Sequence, residues 1–340
     1  MLSLRRITSS GKYIPEIDGL RFIAITSVVL YHFLGFAAPG SFAVHGYRGV
    51  NLFYLISGFI LGLPFAARHL DVGPKVSLKS YFLRRLTRLE PPYILTLLIC
   101  FASAPAVSLL PHLAASLLYV HTFVYGEQNP MNPVTWTLEV EVQFYCLAPL
   151  LANIFRIPSK AVRRAILLAV ILLAGALQLL YWDAPLRIKL SLAFAIQFFL
   201  AGFFLIDIYL LDWRQNPQRR LHWDILSLVL WPAVFALDDR TIWIALPLAL
   251  LAVTQFAFTG TASNRLLTHP AITAIGGMCY SIYLFHYVLI QPILQLSPWL
   301  YAPIMLLAST AFYIAVERPA MIRNWPKRLL QSAPRAILKR

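Results

Sequence analysis

The sequence predicts an all-α polytopic membrane protein with about ten transmembrane helices and both termini in the cytoplasm, and three observations predict it. Hydrophobic residues make up 59% of the 340 residues and charged residues only 13%, with a mean hydropathy of +0.68, far from a water-soluble domain of this length. Apolar runs of roughly twenty residues, enough to cross a bilayer core as a helix, recur without strand-period alternation, which excludes a membrane β-barrel. Finally, the net charge of +15 is unevenly placed: with the N-terminus inside, 24 of the 29 Lys and Arg residues fall in segments expected to face the cytoplasm. That excess is the positive-inside signal of a membrane topology, so the charge needs no nucleic-acid partner. An even number of spans keeps both basic ends on one side.

The first span, near 17–38, follows Lys12 as a full-length apolar stretch with further spans behind it, so it reads as a retained helix and not a cleaved signal peptide. A second, near 48–67, ends at the basic link that runs from Arg68 to Arg88. The third, near 90–110, leads to a short stretch, 111–125, bounded by Pro111 and Gly126 and expected to be a re-entrant or surface segment on the outer side. Spans near 134–155, 164–182 and 188–208 follow. Those near 222–238 and 241–259 flank the short turn LDDR at 237–240, and the last two, near 271–296 and 299–316, precede a basic tail over 317–340. Residues 1–340 are therefore expected to form one membrane domain without an attached soluble one. No internal repeat is visible, which weighs against inverted-repeat transporters. Cys100, Cys146 and Cys279 sit in apolar segments without metal-type spacing and read as buried small hydrophobes; no metal site is expected.

Ionisable residues inside spans are costly, so each is a candidate for lining a polar cavity. Arg21 and His32 are eleven positions apart, about 20° from three full turns, and so share one face of the first helix. Their separation along the axis is roughly 16 Å, which places Arg21 near the cytoplasmic surface and His32 at or beyond the midplane. In YFLRRLTRLEPPY, residues 81–93, Arg84, Arg85 and Arg88 lead into the third span. They fit either a lipid-phosphate anchor or a site for a phosphorylated cofactor. Glu139 and Glu141, beside Trp136 at the outer start of the fourth span, point to different helix faces, so one at most is expected to face the cavity of His32. Tyr283 and His286 lie three apart on one face of the ninth span, suited to a hydrogen-bonded pair or to positioning a substrate.

The order of these stretches resembles the acyltransferase 3 family of integral-membrane acyltransferases. The matching segments are IPEIDGLRFIAITSVVLYH, GVNLFYLISGFIL, RRLTRLEPPY, WTLEVEVQFY, GMCYSIYLFH and VERP, in the family's order over nearly the whole chain. The resemblance implies transfer of an acyl group, usually acetyl from acetyl-CoA, onto a hydroxyl of a glycan, glycolipid or small molecule, in the bacterial cytoplasmic (inner) membrane. It implies Arg21 and His32 as a catalytic pair, Arg85 and Arg88, with Arg84 beside them, as the acyl-CoA arginines, and Glu141 in the motif after Trp136. Where many members carry Asp after GV, this chain has Asn51, so a charged role at that position is lost.

A thioester is already activated, so the chemistry asks for a base toward the acceptor hydroxyl and a grip on the CoA end. His32 is the expected base. Arg21 is expected to anchor the cofactor, because 16 Å is too far for it to reach the reacting carbonyl at His32. Direct attack in a ternary complex is preferred over an acyl-enzyme, since no Ser or Cys is paired with His32 in sequence. The rival class is a proton-coupled transporter or flippase for an anionic or glycosylated solute, with His32 and Glu141 relaying protons.

Overall fold

The computed structural model describes residues 6–7, 13–38, 42–236 and 240–322. The basic tail beyond Ile322 and the first three residues of the LDDR turn lie outside the described residues. Everything regular among those described is helical.

Helix α1 (Pro15–Ala37) opens on a proline at its first position, with Glu16 and Asp18 in the first turn, where the helix dipole favours acids. It packs against α2 (Arg48–His69). Helix α3 (Leu78–Ser103) is capped by the Ser77 hydroxyl, which accepts from the Ser80 N–H at 3.3 Å. It starts about a dozen residues before the predicted span because it runs through Pro91 and Pro92, so Arg84, Arg85 and Arg88 lie on the helix itself. The stretch after it forms two short helices, α4 (Leu110–Leu117) and α5 (His121–Tyr125). Helices α6 (Trp136–Leu151), α7 (Lys160–Leu180), α8 (Leu186–Lys189) and α9 (Leu192–Asp207) follow. Then come α10 (Leu221–Ala236), α11 (Ile242–Thr259) and α12 (Ala262–Leu267).

The tightest junction is between α2 and α9. A Cβ on Gly58 would collide with the Phe199 carbonyl, and one on Gly202 with the Leu55 carbonyl, so the two backbones touch. Around that contact Phe59, Phe144, Phe198, Phe199 and Phe203 are fully buried. At the ends of α7 and α9, Lys160, Arg163 and Arg164 pair with Asp207 and Asp212, with Arg164 Nε 2.7 Å from Asp207 and Lys160 Nζ 2.9 Å from Asp212.

The predicted span 271–296 is not one helix. It is broken into α13 (Pro270–Gly277), α14 (Cys279–His286) and α15 (Ile290–Leu294). The interruption falls at Met278, and Gly276, in the last turn of α13, is required by packing, because a Cβ there would strike the Asp18 carbonyl of α1. Helix α16 (Tyr301–Phe312), a π-helical turn at Tyr313–Glu317 and the short α17 (Arg318–Ala320) close the fold. Among the described residues, seven segments are long and apolar enough to cross a membrane: Pro15–Ala37, Ala43–His69, Pro133–Arg156, Lys160–Leu180, Leu186–Asp212, Ile242–Thr259 and Pro298–Ala320. The other three predicted spans are helical but fall short of that standard. α3 carries its arginines in its first half, α10 has 16 residues, and the segment around α14 is interrupted.

Candidate active site

His32 lies in the C-terminal half of α1, half-buried, and its partner comes from α14. Its Nδ1 is 3.1 Å from the Val28 carbonyl and 3.2 Å from His286 Nε2. His286, fully buried, has its own Nδ1 2.7 Å from the Tyr283 carbonyl. These partners assign the protons when both rings are neutral. A carbonyl can only accept, so His286 carries its hydrogen on Nδ1 and offers a lone pair at Nε2. His32 therefore donates from Nδ1, and its Nε2 holds the free lone pair. Tyr31 and Tyr287 meet the His32 ring edge-on at 4.9 and 5.2 Å, and the Tyr301 hydroxyl donates to the His286 carbonyl at 2.9 Å.

Tyr283 supports this pair without hydrogen bonding to the imidazole. Its hydroxyl donates to the Val134 carbonyl at 2.9 Å and accepts from Thr137 Oγ1 at 2.8 Å, while its ring stands 5.4 Å from that of His286. Trp136, at the start of α6, packs half-buried against the main apolar cluster. Arg21 is at the other end of α1, with Nη1 donating to Asp18 Oδ1 at 2.7 Å. Arg21 and His32 thus share a helix but not a site.

A separate cavity of about 190 Å³ lies between α3, α6 and α14. Its walls include Arg85, Glu90, Tyr119, Glu141, Tyr145 and Tyr280. Arg85 stacks over the Tyr81 ring at 5.0 Å. Glu141 accepts from Ser57 Oγ at 2.7 Å and from the Tyr145 hydroxyl. Glu139, two positions earlier, faces elsewhere and accepts from the Thr122 backbone N–H at 3.0 Å. Arg84 reaches back to Ser80, and Arg88 does not line the cavity; Arg6, Glu317, Arg85 and Tyr145 all lie within its electrostatic reach. Tyr54 of α2 is buried, within electrostatic reach of both Glu141 and Tyr283, its hydroxyl without a hydrogen-bond partner among the described residues. Asn51, three positions earlier on α2, is also buried.

Tyr54, Ser57, Tyr145 and the His32–His286 contact were not foreseen. Ser57 and Tyr54 are polar residues inside an apolar run, a signal available in sequence; a contact between residues 254 positions apart is not. A second imidazole pair, also unforeseen, joins α4 to α5: His112 Nδ1 lies 2.9 Å from His121 Nε2. Burial, with the His112 ring beside it, holds His121 below the ordinary histidine range. Among the described residues no three His, Cys, Asp or Glu side chains converge as metal ligands.

A family model described as an acyltransferase domain matches residues 14–318, from the start of α1 to the start of α17. The chain belongs to the acyltransferase 3 family. Acyltransferase 3 relatives include SACOL0978 of Staphylococcus aureus (strain COL), provisionally named an O-acetyltransferase, 24% identical over 321 residues that cover 82% of this chain and 51% of that protein. The O-acetyltransferase OatA of Staphylococcus aureus (strain NCTC 8325 / PS 47) is 24% identical over 314 residues, 83% of this chain and 51% of that one. The chain spans about half the length of these curated relatives. No solved structure matches it. The imidazole pair, the cavity and Arg88 all fall within the acyltransferase 3 match; Arg6 lies outside it.

Proposed function

We propose that this chain is a membrane O-acyltransferase that moves an acyl group, acetyl from cytoplasmic acetyl-CoA, onto a hydroxyl of a glycan, glycolipid or small-molecule acceptor. The observation that carries the reading is the His32–His286 contact, which leaves one imidazole lone pair, His32 Nε2, on a half-buried ring. The names of the relatives support O-acetyl transfer, and the concentration of basic residues in the segments expected to face the cytoplasm supports a donor taken from within.

His32 Nε2 takes the proton as the acceptor oxygen attacks the thioester carbonyl; the C–S bond breaks, and the imidazolium returns the proton to the departing thiolate, giving CoA and an ester. Arg85 grips the donor at the mouth of the cavity, whose apolar walls, Phe82, Leu86, Leu89 and Val142 among them, suit the pantetheine arm. Glu141 is held at the inner end by Ser57 and Tyr145 and positions the groups around the thioester. Tyr54, whose buried hydroxyl has no hydrogen-bond partner among the described residues, donates to the carbonyl oxygen as charge develops on it. Arg21, tied to Asp18, acts through charge at the basic end and not at the reacting carbon.

The test is CoA release from acetyl-CoA by purified protein in vesicles with candidate hydroxyl acceptors. Wild type should release CoA, and His32→Ala should lose about 10²–10⁴-fold in rate while still folding and binding donor. Absence of both acetyl-CoA binding and CoA release, with solute uptake by the same vesicles, would replace the enzyme by a transporter.

A further inference from the structure

Among the described residues, four other than glycine have a positive φ. Asp71, Arg214 and Gln215 are exposed, but Tyr119, with φ at +57°, is half-buried and lines the cavity that Arg85 borders. It sits just past the end of α4. Its N–H donates to the Ser116 carbonyl at 2.9 Å and the Val120 N–H to the Ala115 carbonyl at 3.0 Å, the pair of bonds that closes a helix through one left-handed residue. Glycine is usual at that position, because a Cβ is crowded there by the next carbonyl. A tyrosine in this conformation persists only where its surroundings hold it. Here the ring stacks on Tyr93 with centroids 4.7 Å apart, and the hydroxyl lies within hydrogen-bonding reach of Glu90.

These contacts carry the end of α4 back along α3. The Tyr93 hydroxyl donates to the Ser116 carbonyl at 2.9 Å, and Tyr93 lies ten residues, about 15 Å of helix, before Ser103. Two further contacts give the cavity a direction. Beside Arg85, Tyr81 of α3 donates to the Tyr145 carbonyl of α6 at 3.3 Å. Further along α3, Tyr93 shares an apolar cluster with Leu138 of α6, and Tyr119 packs against it. The two helices therefore run in opposite directions, and the end of the cavity away from Arg85 is walled by Glu90, Leu138 and Tyr119. A donor that enters past Arg85 and brings its thioester beside Glu141 has its acyl group next to Leu138, three residues before Glu141, and the Tyr119 ring.

We propose that Tyr119 is a specificity-determining residue, whose ring closes the inner end of the cavity and restricts the donor to a short acyl group. The inference rests on the acyl-CoA reading above and deepens it. Glycine would satisfy the left-handed backbone and leave the cavity longer. Tyrosine at the same place fills that length, so the unfavourable conformation is accounted for by what the ring excludes.

Calorimetry on the full chain in nanodiscs, with CoA, acetyl-CoA and hexanoyl-CoA as ligands, tests this without an acceptor. Wild type should bind acetyl-CoA at least as tightly as hexanoyl-CoA. Tyr119→Gly should bind hexanoyl-CoA about tenfold tighter than wild type does, roughly the effect of burying two more methylene groups, with its acetyl-CoA affinity unchanged. Tyr119→Phe keeps the ring and should keep the wild-type preference. Leu138→Ala lengthens the same end without touching the left-handed residue and should shift the preference in the same direction, so the test survives a Tyr119→Gly variant that does not fold. A Tyr119 that only braces α4 against α3 would change the affinity for all three ligands together. That pattern, or an unchanged preference in both Tyr119→Gly and Leu138→Ala, overturns the proposal while leaving the donor reading intact. Wild type binding hexanoyl-CoA tenfold tighter than acetyl-CoA overturns it too. Absence of binding of all three ligands to wild type overturns the donor reading itself, and this proposal with it.

Discussion

Replacing His286 by leucine separates a base whose tautomer is set by its partner from one that works alone. His32 Nδ1 has two acceptors, the Val28 carbonyl at 3.1 Å and His286 Nε2 at 3.2 Å, and the substitution removes the second. One net hydrogen bond is worth about 0.5–1.5 kcal/mol, so kcat should fall about twofold to tenfold. That is well short of the about 10²–10⁴-fold loss expected when the base itself is removed in His32→Ala. His286→Gln, whose side-chain carbonyl can still accept from His32, should recover part of the rate. The assay is CoA release at saturating acceptor as acetyl-CoA is varied, and KM for acetyl-CoA should stay unchanged because His286 is far from the arginines. Two results would refute the reasoning. If His286→Leu folds normally but is as inactive as His32→Ala, the proton passes through His286 itself; if it is fully active, the Val28 carbonyl alone sets the tautomer.

Three further substitutions address Tyr54 and the glycine pair of α13. Tyr54→Phe deletes a buried hydroxyl that has no partner among the described residues, so stability should hold or rise by about 1 kcal/mol while kcat falls about 10²-fold; a fully active variant would remove Tyr54 from the mechanism. Gly276→Ala forces a Cβ into the Asp18 carbonyl and should lower stability by about 1–3 kcal/mol, whereas Gly277→Ala, whose Cβ meets only ordinary contacts, should be milder. Thermal unfolding in detergent compares the two glycine variants, and equal effects would mean that the close approach of α13 to α1 does not require glycine at 276.

What the sequence showed was local, and what it concealed was contact between distant segments. The apolar runs and the spacing of Arg21 and His32 placed α1 to within two residues at its start, because helix period and bilayer length are properties of a single stretch. Arg85 and Arg88 were legible as helix neighbours, yet three residues of rotation leave them about 60° apart, enough to serve a cavity on one side and Glu317 on the other. The glycine pair at 276–277 looked like part of one continuous span. Its role is visible only once Asp18 lies against it. His286 was found as a polar residue out of place in lipid, but nothing in its own segment could say that its partner would be His32.

The arrangement also weighs between the enzyme and the transporter. A transporter needs a path wide enough for its solute, lined by groups free to change partners. Here Arg21 is held by Asp18 at one end of α1, His32 is held by His286 toward the other, and the cavity that begins at Arg85 stops at Glu141 behind Tyr54 and Tyr283. An acyltransferase needs much less to cross. On the proposed reading, with the donor's phosphates held by arginine, only the acyl group has to come within hydrogen-bond reach of a hydroxyl activated by His32. On that reading the buried, unpartnered Tyr54 hydroxyl is useful, since it leaves the carbonyl a donor to meet.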